Sequence, residues 1–345
     1  MSDWTRSGLI LGLAFAISGS ASVSARAENV TWTYYSVITA QHEAGQALTA
    51  AFDRISERTN GEFKINFVSY GETPHKATDA LQVMKDGLVE MTEWIPAYTT
   101  GTYPILGGPG LPFLLPDFSD TAKAQAGADA AWEAPAMQAE LNSIFDEHGA
   151  SPMGSYYYEP MNFYFTTPVE GYKDFDGKRM RVFSPELSTL AQELSAAPVS
   201  LPAPEVYSAL QRNSLDSVIT SSGGVVGLKW SEQLKSVYLV NMLMVRTDIL
   251  ASRSALENLP EEFRAVLTDE MGKAGTELRE LLTELDKKNF QTMRDMGFTF
   301  ASSEGEEYTA LRKISQEKVW PQWAERLGDK GKTVIDDMLS SVSSN

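Results

Sequence analysis

The sequence predicts an α/β protein of two lobes that face each other across a cleft, with one long helix bracing both. Three observations carry this. Strand and helix periodicities alternate in a first set and then again in a second. An irregular Pro/Gly-rich stretch separates the two sets. After Pro260 an apolar stripe continues for about ten helical turns. At roughly 150 residues per domain, 345 residues suffice for two cores.

The first set opens with a strand at Val30-Trp32-Tyr34, followed by a helix whose face is Ala44, Leu48, Phe52 and Ile55. Asn60-Gly61 ends that helix at a left-handed cap. Phe63, Ile65 and Phe67 alternate with polar neighbours as a half-buried strand. Ala77, Ala80, Leu81 and Met84 form a helix ended by Gly87, and a strand begins at Val89 and Met91. This βαβαβ order implies a parallel sheet. The stretch from Pro96 to Pro116 reads as surface or cleft rim.

The second set follows Tyr156-Tyr157-Tyr158. Lys178 to Phe183 is a strand with Met180 and Val182 on one face and Arg179, Arg181 and Phe183 on the other. Leu187, Leu190, Ala191 and Leu194 make a helix, Val199-Leu201 a strand, Glu205 to Arg212 a helix, and Leu215 to Thr220 a strand. Ser221-Ser222-Gly223-Gly224 is the loop at that strand's carboxyl end. The stripe after Pro260 runs from Phe263 through Leu278 to Met293 and stops at Gly297. It drifts instead of keeping a strict heptad, so a coiled coil is not indicated. With hinges near Tyr158 and near Met244 to Arg246, residues 28–158 and 247–286 are assigned to lobe I. Residues 159–246 and 287–345 are assigned to lobe II.

Composition excludes several functions. A net charge of −17, from 29 basic and 46 acidic residues, repels nucleic-acid phosphates. No cysteine means no disulfide, thiolate metal site or thiol nucleophile. His42-Glu43 opens like a zinc-protease motif, but Gln46 stands where the second histidine belongs. No G-x-S-x-G elbow or P-loop occurs. Neither an enzyme nor a cofactor or metal is therefore expected. Arg6, the apolar run Leu9–Ile17 and Ala25-Arg26-Ala27 have the order of a secretory signal peptide spanning residues 1–27, which predicts an exported, soluble chain. A monomer is expected.

Arg181 is the main candidate for binding. A guanidinium in a strand flanked by apolar residues needs a partner, and its planar fork matches a carboxylate. That partner is either a ligand or an internal acid such as Glu205. Thr220, Ser221 and Ser222 offer hydroxyls where open α/β sheets bind ligands. Tyr35, Trp94 and the Tyr156–Tyr158 run are aromatic enough to line a pocket, and Phe183 shares the face of Arg181.

Several segments together resemble the solute-binding proteins of tripartite ATP-independent periplasmic (TRAP) transporters. They are Gly177-Lys178-Arg179-Met180-Arg181-Val182, Ala197-Pro198-Val199, Pro204-Glu205-Val206-Tyr207-Ser208-Ala209-Leu210-Gln211 and Leu215-Asp216. Thr59-Asn60-Gly61, Met84-Lys85-Asp86-Gly87 and Leu259-Pro260-Glu261-Glu262 fit the same pattern, which covers residues 30 to 340. The resemblance implies a Venus-flytrap fold in the periplasm. It also implies capture of an organic acid and its delivery to a membrane permease driven by an ion gradient. Arg181 falls on the family's carboxylate-gripping arginine, Thr220 where many members place an asparagine, and Ala203 where some place an aromatic. Tyr35, Ser36, His75, Lys76 and Trp94 fall at or beside cleft-facing positions of the first lobe. Sialic-acid-type members carry a second arginine near position 161. Met161 stands there, which points to a less polar carboxylate. Two other readings remain open: a binding protein of an ATP-driven importer, and an exported hydrolase.

Overall fold

The computed structural model describes residues 29–118 and 120–344; the expected leader lies outside them. In β1 (Val30–Ser36) Trp32, Tyr34 and Ser36 are buried while the residues between them are not, as a strand with one face on a core requires. Helix α1 (Glu43–Arg58) follows, capped by His42, and then β2 (Phe63–Ser69). Next come α2 (Ala80–Lys85), β3 (Met91–Trp94), α3 (Thr121–Glu133), α4 (Pro135–His148) and β4 (Ala150–Tyr158). The chain then crosses to β5 (Asn162–Phe165), β6 (Arg179–Val182), α5 (Pro185–Glu193) and β7 (Ala197–Ser200). That lobe continues through α6 (Ala203–Gln211), β8 (Ser217–Thr220), α7 (Ser222–Gly227) and β9 (Ser236–Leu239). The return passes through β10 (Val245–Ser252), α8 (Arg253–Asn258) and α9 (Glu261–Asp295). The tail is β11 (Thr299–Ser302), α10 (Gly305–Ile314), α11 (Trp320–Arg326) and α12 (Gly331–Ser343).

Two sheets result, one per lobe, as the double alternation predicts. Lobe I has the order β2-β1-β3-β10-β4, and lobe II β11-β9-β5-β8-β6-β7. β1 is parallel to β2 and β3, and β6 is parallel to β7 and β8. Neither sheet is purely parallel. The strands next to the crossings, β10 in lobe I and β5 in lobe II, pair antiparallel with their neighbours.

The crossings are two short segments bonded to each other. Met161 and Leu243 pair through Met161 N–H to the Leu243 carbonyl at 2.9 Å, and Met242 N–H reaches the Met161 carbonyl at 3.1 Å. Buried Asn162 ties them further. Its Oδ1 accepts from the Val240 and Asn241 amides at 2.6 and 2.8 Å, and its Nδ2 donates to Asn241 Oδ1 at 2.9 Å.

Helix α9, 35 residues long, is the third connection. Its first half packs on α1 and β4. There buried Glu270 accepts from Arg54 Nε at 2.6 Å and Arg58 Nη1 at 2.5 Å, and Arg279 pairs with Asp129 at 2.7 Å. Gly154 permits the close approach, since a Cβ there would lie 3.1 Å from the Met271 carbonyl oxygen. Its second half reaches α7, where Asp286 and Asn289 meet Ser222, and its Met293 is buried in the lobe II core. Among the described residues no helix is long and apolar enough to cross a membrane.

Three features depart from the sequence reading. Residues 96–116 form a cleft rim only in part: Tyr98 reaches the space between the lobes and Gly101 and Thr102 are exposed, but Leu106, Leu111, Phe113, Leu114 and Leu115 are buried, because two short 3₁₀ turns fold the apolar side chains inward. The segment after Thr220 is not a loop but Ser221 capping the six-residue helix α7, its Oγ accepting from the Gly224 amide at 3.3 Å. The tail does not stay on lobe II. α12 packs on α3 of lobe I, and Trp323 Nε1 donates to the Pro104 carbonyl at 2.7 Å.

A candidate ligand site between the lobes

A cavity lies where the two lobes meet. Lobe II supplies Arg181 and Phe183 from β6 and its end, Thr220, Ser221 and Gly224 from β8 and α7, and Trp230, Met161 and Ala203. Lobe I supplies Val37, Ile38 and His42 from the β1–α1 turn, Ile95 and Tyr98 after β3, and Tyr158 at the crossing.

Arg181 is only 2% exposed. Its Nε donates to the Leu201 carbonyl at 2.8 Å and its Nη1 to the Ile219 carbonyl at 3.0 Å. The guanidinium lies 4.9 Å from the ring centre of Phe183 and 5.7 Å from that of Trp230. Among the described residues no carboxylate pairs with it. Glu205 instead lines an outer groove together with His75 and Lys76. Burial pulls the pKa of Arg181 below the ordinary arginine value, partly offset by the facing Tyr98 hydroxyl. A buried cation held by carbonyls and aromatic faces, with no counter-ion, is a preorganised site for an anion.

The other predicted residues divide into two groups. Thr220, Ser221, Phe183 and Ala203 line the cavity with Arg181. Ser222, Tyr35, Ser36, His75, Lys76 and Trp94 do not. Ser222 points to the far side of α7, donating to Asp286 Oδ1 at 2.7 Å. The Ser36 hydroxyl is buried and donates to Glu93, which also accepts from the Tyr156 and Tyr158 hydroxyls at 2.7 and 2.8 Å. Tyr35 and His75 face each other at 6.0 Å, and His75 and Lys76 line the outer groove. Trp94 is fully buried and packs edge-on against Phe145 in the core of lobe I.

Sequence reasoning missed His42, Tyr98 and Trp230. His42 was visible only as half of a failed zinc motif. Its Nδ1 accepts from the Ala44 amide at 3.1 Å, so Nε2 carries the proton. Nε2 faces Gly223 and Gly227 of α7, and the Gly223 backbone, placed outside good hydrogen-bond geometry, offsets only part of the burial. Burial holds the His42 pKa below the usual histidine range, so the ring is neutral near pH 7. Tyr98 closes the cavity from lobe I. Its hydroxyl accepts from the Ala203 amide at 3.1 Å, and its ring meets Phe183 edge-to-face at 6.3 Å.

Residues 35–326 match the family described as bacterial extracellular solute-binding protein, family 7. The chain belongs to this family. It is similar to the ectoine-binding periplasmic protein TeaA of Halomonas elongata, 21% identical over 291 residues and covering 82% of each chain. Its fold matches a Bordetella pertussis extracytoplasmic solute receptor binding pyroglutamic acid, with a TM-score of 0.78 and 20% identity over 90% of this chain and 99% of that one. It also matches a TRAP periplasmic solute-binding protein from Shewanella oneidensis with bound succinate, with a TM-score of 0.79 and 19% identity over 91% and 99%. The family 7 assignment agrees with the two-lobed fold and the long helix expected from the sequence.

Proposed function

We propose that this solute-binding protein captures a small organic acid in the periplasm, holds its carboxylate on Arg181 between the closed lobes, and delivers it to a TRAP-type permease. The observation that carries this is the buried, unpaired guanidinium of Arg181 in a cavity reached by both lobes. Similarity to receptors of pyroglutamic acid and succinate supports the ligand class. Closure around the acid removes water, so the effective dielectric falls from about 80 towards about 20 and the ion pair strengthens. It also changes the outer surface, which gives a permease a means to distinguish loaded from empty protein.

Mass spectrometry of small molecules released on denaturing the purified protein tests this. A carboxylic acid recovered unaltered and in stoichiometric amount is the expected result. A non-acidic ligand, or conversion of the acid to product, would overturn it.

Closure brings His42 onto α7, and a Cβ at Gly227 would lie 2.3 Å from His42 Cδ2. Gly227→Ala is therefore expected to oppose closure by about 1–3 kcal/mol, read in calorimetry as about a 10- to 100-fold weaker ligand. The same substitution improves helix propensity in α7, so the melting point of the ligand-free protein should not fall. A fall without loss of affinity would show that this contact belongs to folding and not to closure.

A further inference from the structure

Tyr98 enters the ligand cavity from lobe I at the end of a short 3₁₀ turn, Pro96–Tyr98. Two contacts with lobe II fix it. Its ring stands edge-on to Phe183 at 6.3 Å, and its hydroxyl oxygen accepts from the Ala203 amide at 3.1 Å. Ala203 opens α6, so this amide is one of the donors that a helix start leaves without a partner of its own. The same hydroxyl faces the Arg181 guanidinium.

The Tyr98 oxygen is thus turned towards donors, while its own proton has no acceptor among the described residues. Accepting a hydrogen bond polarises the O–H and makes it a stronger donor. A ligand that fills the cavity displaces the water that would otherwise take this proton. The ligand must then accept it, because a donor left unpaired in a closed site is costly. The carboxylate itself is spoken for by Arg181, whose Nε and Nη1 are already oriented by the Leu201 and Ile219 carbonyls. Since the hydroxyl stands beside that guanidinium, the ligand atom that reaches it lies beside the carboxylate.

We propose that Tyr98 is a specificity-determining residue whose hydroxyl selects acids with an acceptor oxygen on the carbon next to the carboxylate, as in a 2-hydroxy or 2-oxo acid. The inference rests on Arg181 being the carboxylate anchor. An acid with only hydrogen on that carbon leaves the phenol proton unpaired, and a site built around a hydrogen bond rejects such an analogue strongly.

Calorimetry on the full chain and on Tyr98→Phe tests this, with lactate and pyruvate against propionate, and 2-hydroxyisovalerate against isovalerate. Phenylalanine keeps the ring against Phe183 and removes only the hydroxyl. The lost bond to Ala203 weakens both members of a pair alike, so the ratio within a pair is the readout. The wild type is expected to bind the oxygenated acid about tenfold or more tighter than its partner. In Tyr98→Phe that preference should fall to about twofold or less. Equal weakening of both members, with the ratio kept, would show that the hydroxyl only ties the lobes together, and would overturn the assignment. A wild type that does not distinguish the members overturns it too. Arg181→Ala is measured alongside: if it abolishes binding while Tyr98→Phe keeps the preference, only the assignment of Tyr98 fails. If no acid of either pair binds the wild type, the anchor reading falls and this one falls with it.

Discussion

Replacing Arg181 with alanine is expected to weaken the bound acid by about 10- to 100-fold, the loss of a charge-assisted pair worth about 1.5–3 kcal/mol. The guanidinium is already oriented by the Leu201 and Ile219 carbonyls, so the ligand does not have to order it. Arg181→Lys keeps the charge but loses the planar fork and the stacking between Phe183 and Trp230, and should recover only part of the affinity. Calorimetry and the ligand-induced rise in melting temperature read both variants. Unchanged affinity in Arg181→Ala would remove this residue from the site.

The second large effect concerns stability. Glu159 lies at the first crossing, is 1% exposed, and its Oε2 has no hydrogen-bond partner. Burial, reinforced by the nearby Asp286 charge, raises its pKa to about 7, and burial raises that of Asp286 to about 6. A carboxyl whose folded pKa lies above its unfolded value holds more protons when folded. Its stabilisation is therefore complete below the unfolded value and is lost as pH rises through the folded one. The melting temperature should fall between about pH 5 and pH 7.5 and level off above. Glu159→Gln removes the buried charge, leaving only the Asp286 part of that fall and stabilising the protein at pH 8 by about 3 kcal/mol. Parallel melting profiles for wild type and variant would show that Glu159 does not titrate in this window.

Much of the architecture was legible because its signals are local. The alternation in β1 and the stripe of α9 depend only on which face is buried, and both are in the structure. Arg181 was legible for the same reason, as a cation on a strand between apolar neighbours. The lobe I half of the cavity was not. Tyr35 and Tyr34 differ by one strand position, and register decides which faces the core. Ser36 is drawn off by Glu93, a partner 57 residues away. Tyr98 sits in a Pro/Gly-rich segment with no periodicity, and only the packing of residues 96–116 carries it to the cleft. His42 acts as a helix cap and cavity wall together, and sequence shows neither role unless the opposing α7 is known.

The origin of the cavity walls has a consequence for how this receptor could change its diet. Arg181 and its supporting carbonyls are woven into the sheet of lobe II, whereas His42 and Tyr98 ride on short turns of lobe I. On the proposed reading, one half would grasp the charged end that all acids share, and the other would inspect what distinguishes them. Selectivity can then drift through changes in a few turn residues, leaving the grip on the acid untouched.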